Sequence, residues 1–177
     1  MCGQIPILTI NNLSHFYIFN KQIYSFYGRF LLNLLTFVHS NHVFMGRKQE
    51  YKETNLEFLK ELSSQEGVYA LPCGIYYKVL ETGTGTVFPN VRSIVTVHYK
   101  GSLINGRVFD NSYERNCPEA FRLCDVIDGW QLALQRMRAG DKWIIYIPYT
   151  MGYGTRASGP IPAFSTLVFE VELLGVA

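Results

Sequence analysis

Histidine, the commonest general base in enzymes, is scarce in the part of the chain after residue 44. Of the four histidines, only His98 follows residue 44, so a nucleophile–histidine–acid triad there has one candidate base. His98 lies in an alternating segment, where a hydrogen-bonded or solvent-facing strand histidine is the ordinary interpretation. Gly83-Thr84-Gly85 lacks the lysine and the following helix of a phosphate-binding loop, so we interpret it as a turn. No paired carboxylates, metal ligands or cofactor motif are predicted.

The chain offers instead a dense set of aromatic and aliphatic residues around predicted turns. They are Tyr99, Phe109, Phe121, Val126, Ile127, Trp130, Tyr153, Ile161 and Phe169. Taken singly, each is more typical of a core than of a site. As a set they suggest a site, because several lie at strand ends or in loops. Tyr153 lies between two glycines, where a core residue gains little, and Asp110 is the one acid among the aromatic residues.

Several blocks of residues follow one another in a distinctive order. They are Val97-His98-Tyr99-Lys100-Gly101, Gly106 with Val108 to Ser112, Val126 to Trp130, Gly152-Tyr153-Gly154 with Ile161-Pro162, and Thr166 to Leu174. Together they resemble the FKBP-type peptidyl-prolyl cis-trans isomerases. The resemblance runs from about Gly74 to Leu174. The segments Glu66-Gly67-Val68 and Leu71 to Val79 also resemble the bacterial subgroup with a helical N-terminal extension, such as the macrophage infectivity potentiators.

This resemblance implies an enzyme that assists folding by rotating Xaa–Pro peptide bonds, without covalent chemistry, in an apolar aromatic pocket. It assigns catalytic roles to Phe109, Asp110, Ile127 and Tyr153. It assigns substrate binding to Tyr99, Phe121, Val126, Trp130, Ile161 and Phe169. Trp130 would form the pocket floor, the Ile127 backbone N–H would donate to a bound carbonyl, and Ile161 would lie in an overhanging loop. Arg115 occupies a position that pairs with Asp110 at the rim.

The same resemblance implies the partners. Proline-containing polypeptides are the expected substrates, and macrolides of the tacrolimus and rapamycin type are allowed as ligands. A catalytically weak FKBP-like chaperone or partner-binding module stays open as an alternative, because a fold does not guarantee an activity. Either a monomer or a homodimer is compatible with the sequence.

Periodicity predicts the elements that must position these residues. Alternation predicts strands over Ile75–Leu80, Ile94–Leu103, Lys142–Pro148 and Thr166–Leu174, with a short strand at Phe121-Arg122-Leu123. Asn105-Gly106 predicts a two-residue hairpin. Trp130–Met137 predicts the core helix, with Gly140 just past its end. Mostly antiparallel strands with one short helix indicate an α+β domain. By the resemblance, the sheet is curved and wraps around that helix.

A second helix is predicted before the sheet, over Tyr51–Gln65. Thr54 and Glu57 have the spacing of a capping box at its start. Phe58 and Leu62 lie four residues apart and give it an apolar stripe, and Gly67 would end it. A packing arm, a dimer contact and a plain surface helix all fit this pattern.

Charge divides the chain into two parts. The 177 residues carry a formal net charge of +2, and 48% of them are hydrophobic, which excludes wholesale disorder. Lys21 and Arg29 are the only charged residues before residue 45, so the rest of the chain is neutral. A balance this even does not favour a nucleic-acid partner, which needs a clustered basic face.

Residues 1–44 form an atypical N-terminal segment. Its apolar stretch from Ile23 to Val38 is interrupted by Arg29 and Asn33 and falls short of the about 20 apolar residues of a membrane helix. It also lacks the order of regions in a secretory signal. An ordinary sequence follows Met45, so we expect the natural start there. A membrane-associating or signal-like segment and a folded element are the alternatives.

The expected organisation is therefore the N-terminal segment 1–44, a helical extension over 45–66 and an isomerase domain over 67–177. Cys2, Cys73, Cys117 and Cys124 have spacings of neither a disulfide framework nor a zinc site, so free thiols are expected. That expectation and a start at Met45 favour the cytoplasm. A periplasmic or membrane-associated location is the alternative, and a membrane partner is not expected.

Overall fold

The computed structural model describes residues 46–177. The predictions for residues 1–44, Cys2 among them, lie outside this range. Helix α1 occupies residues 46–62. Helix α2 (Asp128–Leu134) is the short core helix. The strands are β1 (Tyr69–Leu71), β2 (Ile75–Glu81), β3 (Ile94–Leu103), β4 (Val108–Asn111), β5 (Glu119–Arg122), β6 (Lys142–Ile147) and β7 (Leu167–Val176).

The strands form one antiparallel sheet in the order β1-β2-β6-β7-β3-β4, with β5 also pairing with β3. The longest ladder joins β3 to β7, from Val95 opposite Val176 to Leu103 opposite Leu167. Along β3, Val95, Val97 and Tyr99 are buried, whereas the residues between them are at least partly exposed. This alternation places one face of the sheet against the core. The predicted α+β class and the antiparallel sheet are confirmed.

Helix α2 packs against the buried face of the sheet. Its residues Trp130, Ala133 and Leu134 belong to the same hydrophobic core as Ile147. Gly129 allows a close approach, because a Cβ atom there would lie 2.4 Å from Cγ2 of Ile147. Burial of this apolar surface is the main force that holds the helix on the sheet.

The core helix is shorter than predicted. It ends at Leu134, and the chain continues in a tighter turn in which the Met137 N–H donates to the Leu134 carbonyl at 3.0 Å. Met137 is nevertheless fully buried. Gly140 was predicted to cap this helix but lies in the turn before β6, where its φ is +92°. In that turn the Asp141 N–H donates to the Arg138 carbonyl.

The β3–β4 connection differs from the predicted two-residue hairpin. The Leu103 N–H donates to the Arg107 carbonyl at 2.9 Å, which leaves three residues in the loop. Gly106 has a φ of +82°, whereas Asn105 keeps a negative φ. A type I turn followed by a left-handed glycine explains this geometry. The Asn-Gly pair therefore marked the right position but the wrong turn.

Gly83 and Gly85 do not form the predicted turn. They lie in an extended segment whose N–H groups donate to Asp141 Oδ1 (2.6 Å, from Gly83) and to the Ala139 carbonyl (3.0 Å, from Gly85). A Cβ atom at Gly83 would lie only 2.3 Å from the Ala139 carbonyl oxygen. These positions exclude side chains because two backbones meet there.

Helix α1 begins before the predicted start and ends before Gln65. Thr54 consequently lies inside the helix, where its hydroxyl donates to the Glu50 carbonyl at 2.9 Å. The predicted capping box of Thr54 and Glu57 is wrong, because its spacing is also compatible with an internal turn. Leu59 and Leu62 are buried and anchor the helix.

Between residues 46 and 177, no helix has the combination of length and hydropathy required to cross a membrane. In the same range, Cys73, Cys117 and Cys124 are exposed free thiols.

Candidate functional site

A cavity of about 350 Å³ lies where the sheet meets the start of α2. Strands β3, β4, β5 and β7 contribute side chains to it, as do the segment before α2 and the loop after β6. The lining residues are Tyr99, Phe109, Asp110, Phe121, Asp125, Val126, Ile127, Trp130, Tyr153 and Phe169. This volume is within the range of small-molecule sites, about 300–1,000 Å³.

The floor of the cavity is the indole ring of Trp130. Three rings meet it edge to face: Tyr99 at 5.2 Å and 88°, Phe121 at 5.8 Å and 88°, and Phe169 at 5.2 Å and 80°. Such perpendicular contacts are the favoured geometry of aromatic pairs. The buried Nε1 of Trp130 has no hydrogen-bond partner within residues 46–177, so the indole contributes through its ring.

Phe109 forms the wall beside Phe169, with the ring centroids 5.6 Å apart and the planes at 86°. The contact depends on Gly101, which lies opposite Phe169 in the β3–β7 ladder. A Cβ atom at Gly101 would lie 2.6 Å from Phe109 and 2.8 Å from Phe169. Gly101 thus makes room for both rings, a role that nothing in the neighbouring sequence indicates.

The rim carries a polar network centred on Asp110. Its Oδ2 accepts a hydrogen bond from the Tyr99 hydroxyl at 2.5 Å, and its Oδ1 pairs with Arg115 at 2.5 Å. Arg115 also pairs closely with Glu119. The predicted pairing of Arg115 with Asp110 is present in the structure. Glu119 was not singled out, because nothing local indicates that two acids share this guanidinium.

These contacts determine the charge at the rim. Burial tends to raise the pKa of Asp110, but the hydrogen bonds from Tyr99 and Arg115, with the guanidinium charge, outweigh it and lower the pKa. Burial and the bond to Asp110 raise the pKa of Tyr99 well above its ordinary value. At neutral pH the network therefore holds a phenol that donates and a carboxylate that accepts.

Two further donors border the cavity. Ile127 immediately precedes α2, and its carbonyl accepts the Trp130 N–H at 2.9 Å, whereas no group within residues 46–177 accepts its own N–H. Gln131 steadies this segment by donating to the Val126 carbonyl at 2.8 Å. Tyr153 is 42% exposed, and burial together with the nearby charge of Asp110 raises its pKa, so its hydroxyl stays protonated.

The structure brings nine of the ten predicted site residues to this cavity and leaves out Ile161. Ile161 is 5% exposed and packs in the core, and its backbone pairs with Ser158 in an isolated bridge. Asp125 also lines the cavity, and no motif in the sequence marks it.

His98 lies outside the cavity. Its ring stacks on Tyr113 with centroids 4.6 Å apart, and its Nδ1 is 2.9 Å from the Ser112 hydroxyl. This is the expected hydrogen-bonded strand histidine. Within residues 46–177, histidine, cysteine and carboxylate side chains form no group that could hold a metal ion.

Comparison with known proteins relates this geometry to a family. The family model of the FKBP-type peptidyl-prolyl cis-trans isomerases matches residues 85–174. The chain is 42% identical to a macrophage infectivity potentiator of Trypanosoma cruzi over 120 residues, which are 67% of this chain and 61% of that protein. It is 43% identical to the FKBP-type 22 kDa peptidyl-prolyl cis-trans isomerase of Escherichia coli over 131 residues, 73% and 63% of the two chains.

Solved structures of peptidyl-prolyl cis-trans isomerases are also similar to this chain. A peptidyl-prolyl cis-trans isomerase of Pseudomonas syringae is 38% identical with a TM-score of 0.68, covering 73% of this chain and 95% of the other. FkpA of Escherichia coli is 32% identical with a TM-score of 0.72, covering 96% and 74%. The match spans about three fifths of the length of these curated relatives, 61% and 63%.

Proposed function

Because the chain belongs to the FKBP-type peptidyl-prolyl cis-trans isomerases, we propose that its cavity binds proline-containing polypeptides and accelerates rotation about their Xaa–Pro bonds. The observation that carries this proposal is the apolar floor of Trp130 and its three perpendicular rings. That floor is bordered by two donors, the Ile127 N–H and the Tyr153 hydroxyl. A ring of apolar surface with a few polar groups at its edge suits a prolyl side chain flanked by peptide.

The reaction needs no nucleophile, metal or proton transfer. Rotation about a peptide bond has a barrier of about 18–20 kcal/mol, because resonance gives the C–N bond double-bond character. For Xaa–Pro bonds both isomers are populated, but without a catalyst they exchange only over roughly tens to hundreds of seconds. An enzyme therefore has only to bind the twisted amide more tightly than either planar form.

The cavity can make this distinction through its polarity. A planar amide has a strongly polarised carbonyl that prefers water, whereas twisting removes the resonance and leaves a less polarised group. Walls made of Phe109, Phe121 and Phe169 replace water around the bound segment. Desolvation then disfavours the planar form more than the twisted one, which lowers the barrier.

Hydrogen bonds hold the substrate during rotation but supply the smaller part of the effect. A single bond from the Ile127 N–H or the Tyr153 hydroxyl contributes on the order of 1 kcal/mol. An acceleration of about five powers of ten needs about 7 kcal/mol. The shape and dryness of the aromatic cavity must therefore provide most of the rate enhancement.

The experiment that tests the proposal follows cis-to-trans conversion of a short Xaa–Pro peptide with a protease that cleaves only the trans form. The full chain should accelerate the slow phase in proportion to its concentration. Binding of the same peptide should be detectable as a change in tryptophan fluorescence, because Trp130 forms the floor of the cavity. Binding without acceleration would identify a partner-binding module instead and would overturn the catalytic proposal.

We extend the proposal to macrolides of the tacrolimus and rapamycin type, which the same apolar cavity would accept in competition with peptide. The support is the combination of a buried indole floor and the unengaged Ile127 N–H, a donor for a ligand carbonyl. Inhibition of the peptide reaction by rapamycin, relieved by excess peptide, is the expected result. Inhibition that excess peptide does not relieve would place the macrolide elsewhere.

A further inference from the structure

Asn55 is a buried polar residue that joins α1 to the segment before β7. The side-chain oxygen of Asn55 accepts a hydrogen bond from the Thr166 N–H at 2.7 Å. The Thr166 hydroxyl donates to the backbone carbonyl of Asn55 at 3.3 Å. Its amide nitrogen donates to the Tyr51 carbonyl at 2.8 Å. Asn55 and Thr166 have no exposed surface, so the N–H and hydroxyl of Thr166 would lose their acceptors if α1 moved away.

The same helix contacts Phe164, two residues earlier. Phe164 has a φ of +65°, a left-handed conformation that a bulky residue adopts only when its surroundings hold it there. Its ring lies edge to face on Tyr149, with centroids 5.2 Å apart. From α1, the ammonium groups of Lys48 and Lys52 lie 5.2 and 5.4 Å from the Phe164 centroid. Cations near a ring face attract it, so α1 helps to hold the strained residue.

Phe164 is connected in turn to the cavity. Its N–H donates to the Gly154 carbonyl at 3.0 Å, and the Gly154 N–H donates to the Tyr149 carbonyl at 2.8 Å. Tyr153, directly before Gly154, lines the cavity. Among the described residues the Tyr153 hydroxyl makes no hydrogen bond, so the loop that carries Tyr153 sets the position of the hydroxyl.

From this series of contacts we propose that α1 positions Tyr153 in the cavity, with Asn55 as the positioning residue. The loop of residues 148–166, here called the Tyr153 loop, transmits the contact through Phe164 and Gly154. The inference rests on the proposed isomerase function and adds to it. The helical extension is then part of the site rather than only a packing arm.

A double-mutant cycle on the full chain tests this coupling. Tyr153→Phe should lower kcat/KM about fivefold by removing one hydrogen bond. Asn55→Ala should lower it by a similar factor at unchanged KM, because positioning affects the rotated state. The double variant should be within about twofold of Tyr153→Phe, because Asn55 acts through that hydroxyl. Thr54→Ala, which removes only a hydrogen bond within α1, is the matched control and should be without effect.

A merely structural role gives a different result. Partial unfolding of Asn55→Ala multiplies the activity of both backgrounds by the same fraction, so the losses would combine to about twenty-five-fold. Either that result or an unchanged rate for Asn55→Ala overturns the proposal. If Asn55→Ala does not fold, Tyr51→Phe replaces it. This variant removes only the 2.9 Å contact with the Ser165 hydroxyl, and its loss of about twofold should also vanish in the Tyr153→Phe background.

Hydrogen exchange separates this inference from the proposed function, because it needs no activity. In Asn55→Ala the Phe164 and Gly154 amides should exchange at least about tenfold faster than in Thr54→Ala, while those of central β3 keep their rates. Unchanged exchange at Phe164 would overturn the coupling even in an active enzyme. A wild-type chain without isomerase activity would overturn the function, and the exchange data would still decide whether α1 holds the loop.

Discussion

Phe109 offers the sharpest test of the aromatic cavity. It forms the wall beside Phe169 and is only half-buried, so its ring can be removed without emptying the core. If the about 7 kcal/mol of rate enhancement comes mainly from the rings of Tyr99, Phe109, Phe121, Trp130 and Phe169, after about 1 kcal/mol for a hydrogen bond, each ring contributes about 1.2 kcal/mol. Phe109→Ala should therefore lower kcat/KM about eightfold.

The stability cost of this change should be moderate. A fully buried Phe→Ala substitution costs about 3–5 kcal/mol, and partial burial reduces that to about 2 kcal/mol. Urea unfolding measures this loss, and the protease-coupled peptide assay measures the rate on the same preparation. Phe88→Ala is the matched control, because Phe88 is 54% exposed and is not among the cavity residues.

The outcome has a clear interpretation. An eightfold loss in Phe109→Ala with full activity in Phe88→Ala supports catalysis by the apolar walls. Equal activity of Phe109→Ala and wild type, with both proteins folded, would refute the argument that aromatic desolvation supplies the rate.

Three further changes test other parts of the structure. Gly101→Ala should lower both stability and kcat/KM, because its Cβ would lie 2.6 Å from Phe109; an unchanged urea midpoint would contradict that contact. The folded-state pKa of Asp110 is lowered, so its ionised form stabilises the fold above the ordinary carboxyl pKa and that contribution is lost as the pH falls. The stability advantage of wild type over Asp110→Asn should therefore shrink below about pH 4, and an advantage that grows with acid would reverse the sign. Asp141→Ala should cost about 2–4 kcal/mol with isomerase activity retained, because two backbone donors, Gly83 at 2.6 Å and Arg138 at 2.9 Å, lose their acceptor.

Much of the fold was predictable because strand periodicity is a local property. The alternation from Ile94 to Leu103 placed the third strand at its observed bounds. The turns were less predictable. Asn105-Gly106 and Gly83-Thr84-Gly85 both have turn composition, yet one forms a longer loop and the other an extended contact. Composition indicates where a chain can bend, whereas the neighbouring backbone decides how it bends.

The site likewise has features that the sequence predicts and features that it does not. The resemblance selected the aromatic residues, and nine of the ten predicted positions line one cavity. Ile161 has the same apolar character but is buried in the core outside the lining. Gly101 carries no signal of its own, because its role depends on rings from β4 and β7. Glu119 and Asp125 have no motif that marks them, although Glu119 lies only four residues after Arg115. Asn55 looked like an ordinary helical residue until the fold placed it against Thr166.

The amino-acid sequence by itself determined the alternation of the strands, the family to which the chain is similar and the aromatic residues available for a site. These follow from residue type and spacing along one stretch of chain. Only the tertiary structure decided which rings meet at Trp130, that Glu119 joins Asp110 in pairing with Arg115 and which loop α1 holds. The physical reason is that such contacts depend on strand register and on packing between segments that can lie far apart in the chain, as with Asn55 and Thr166 at a separation of 111.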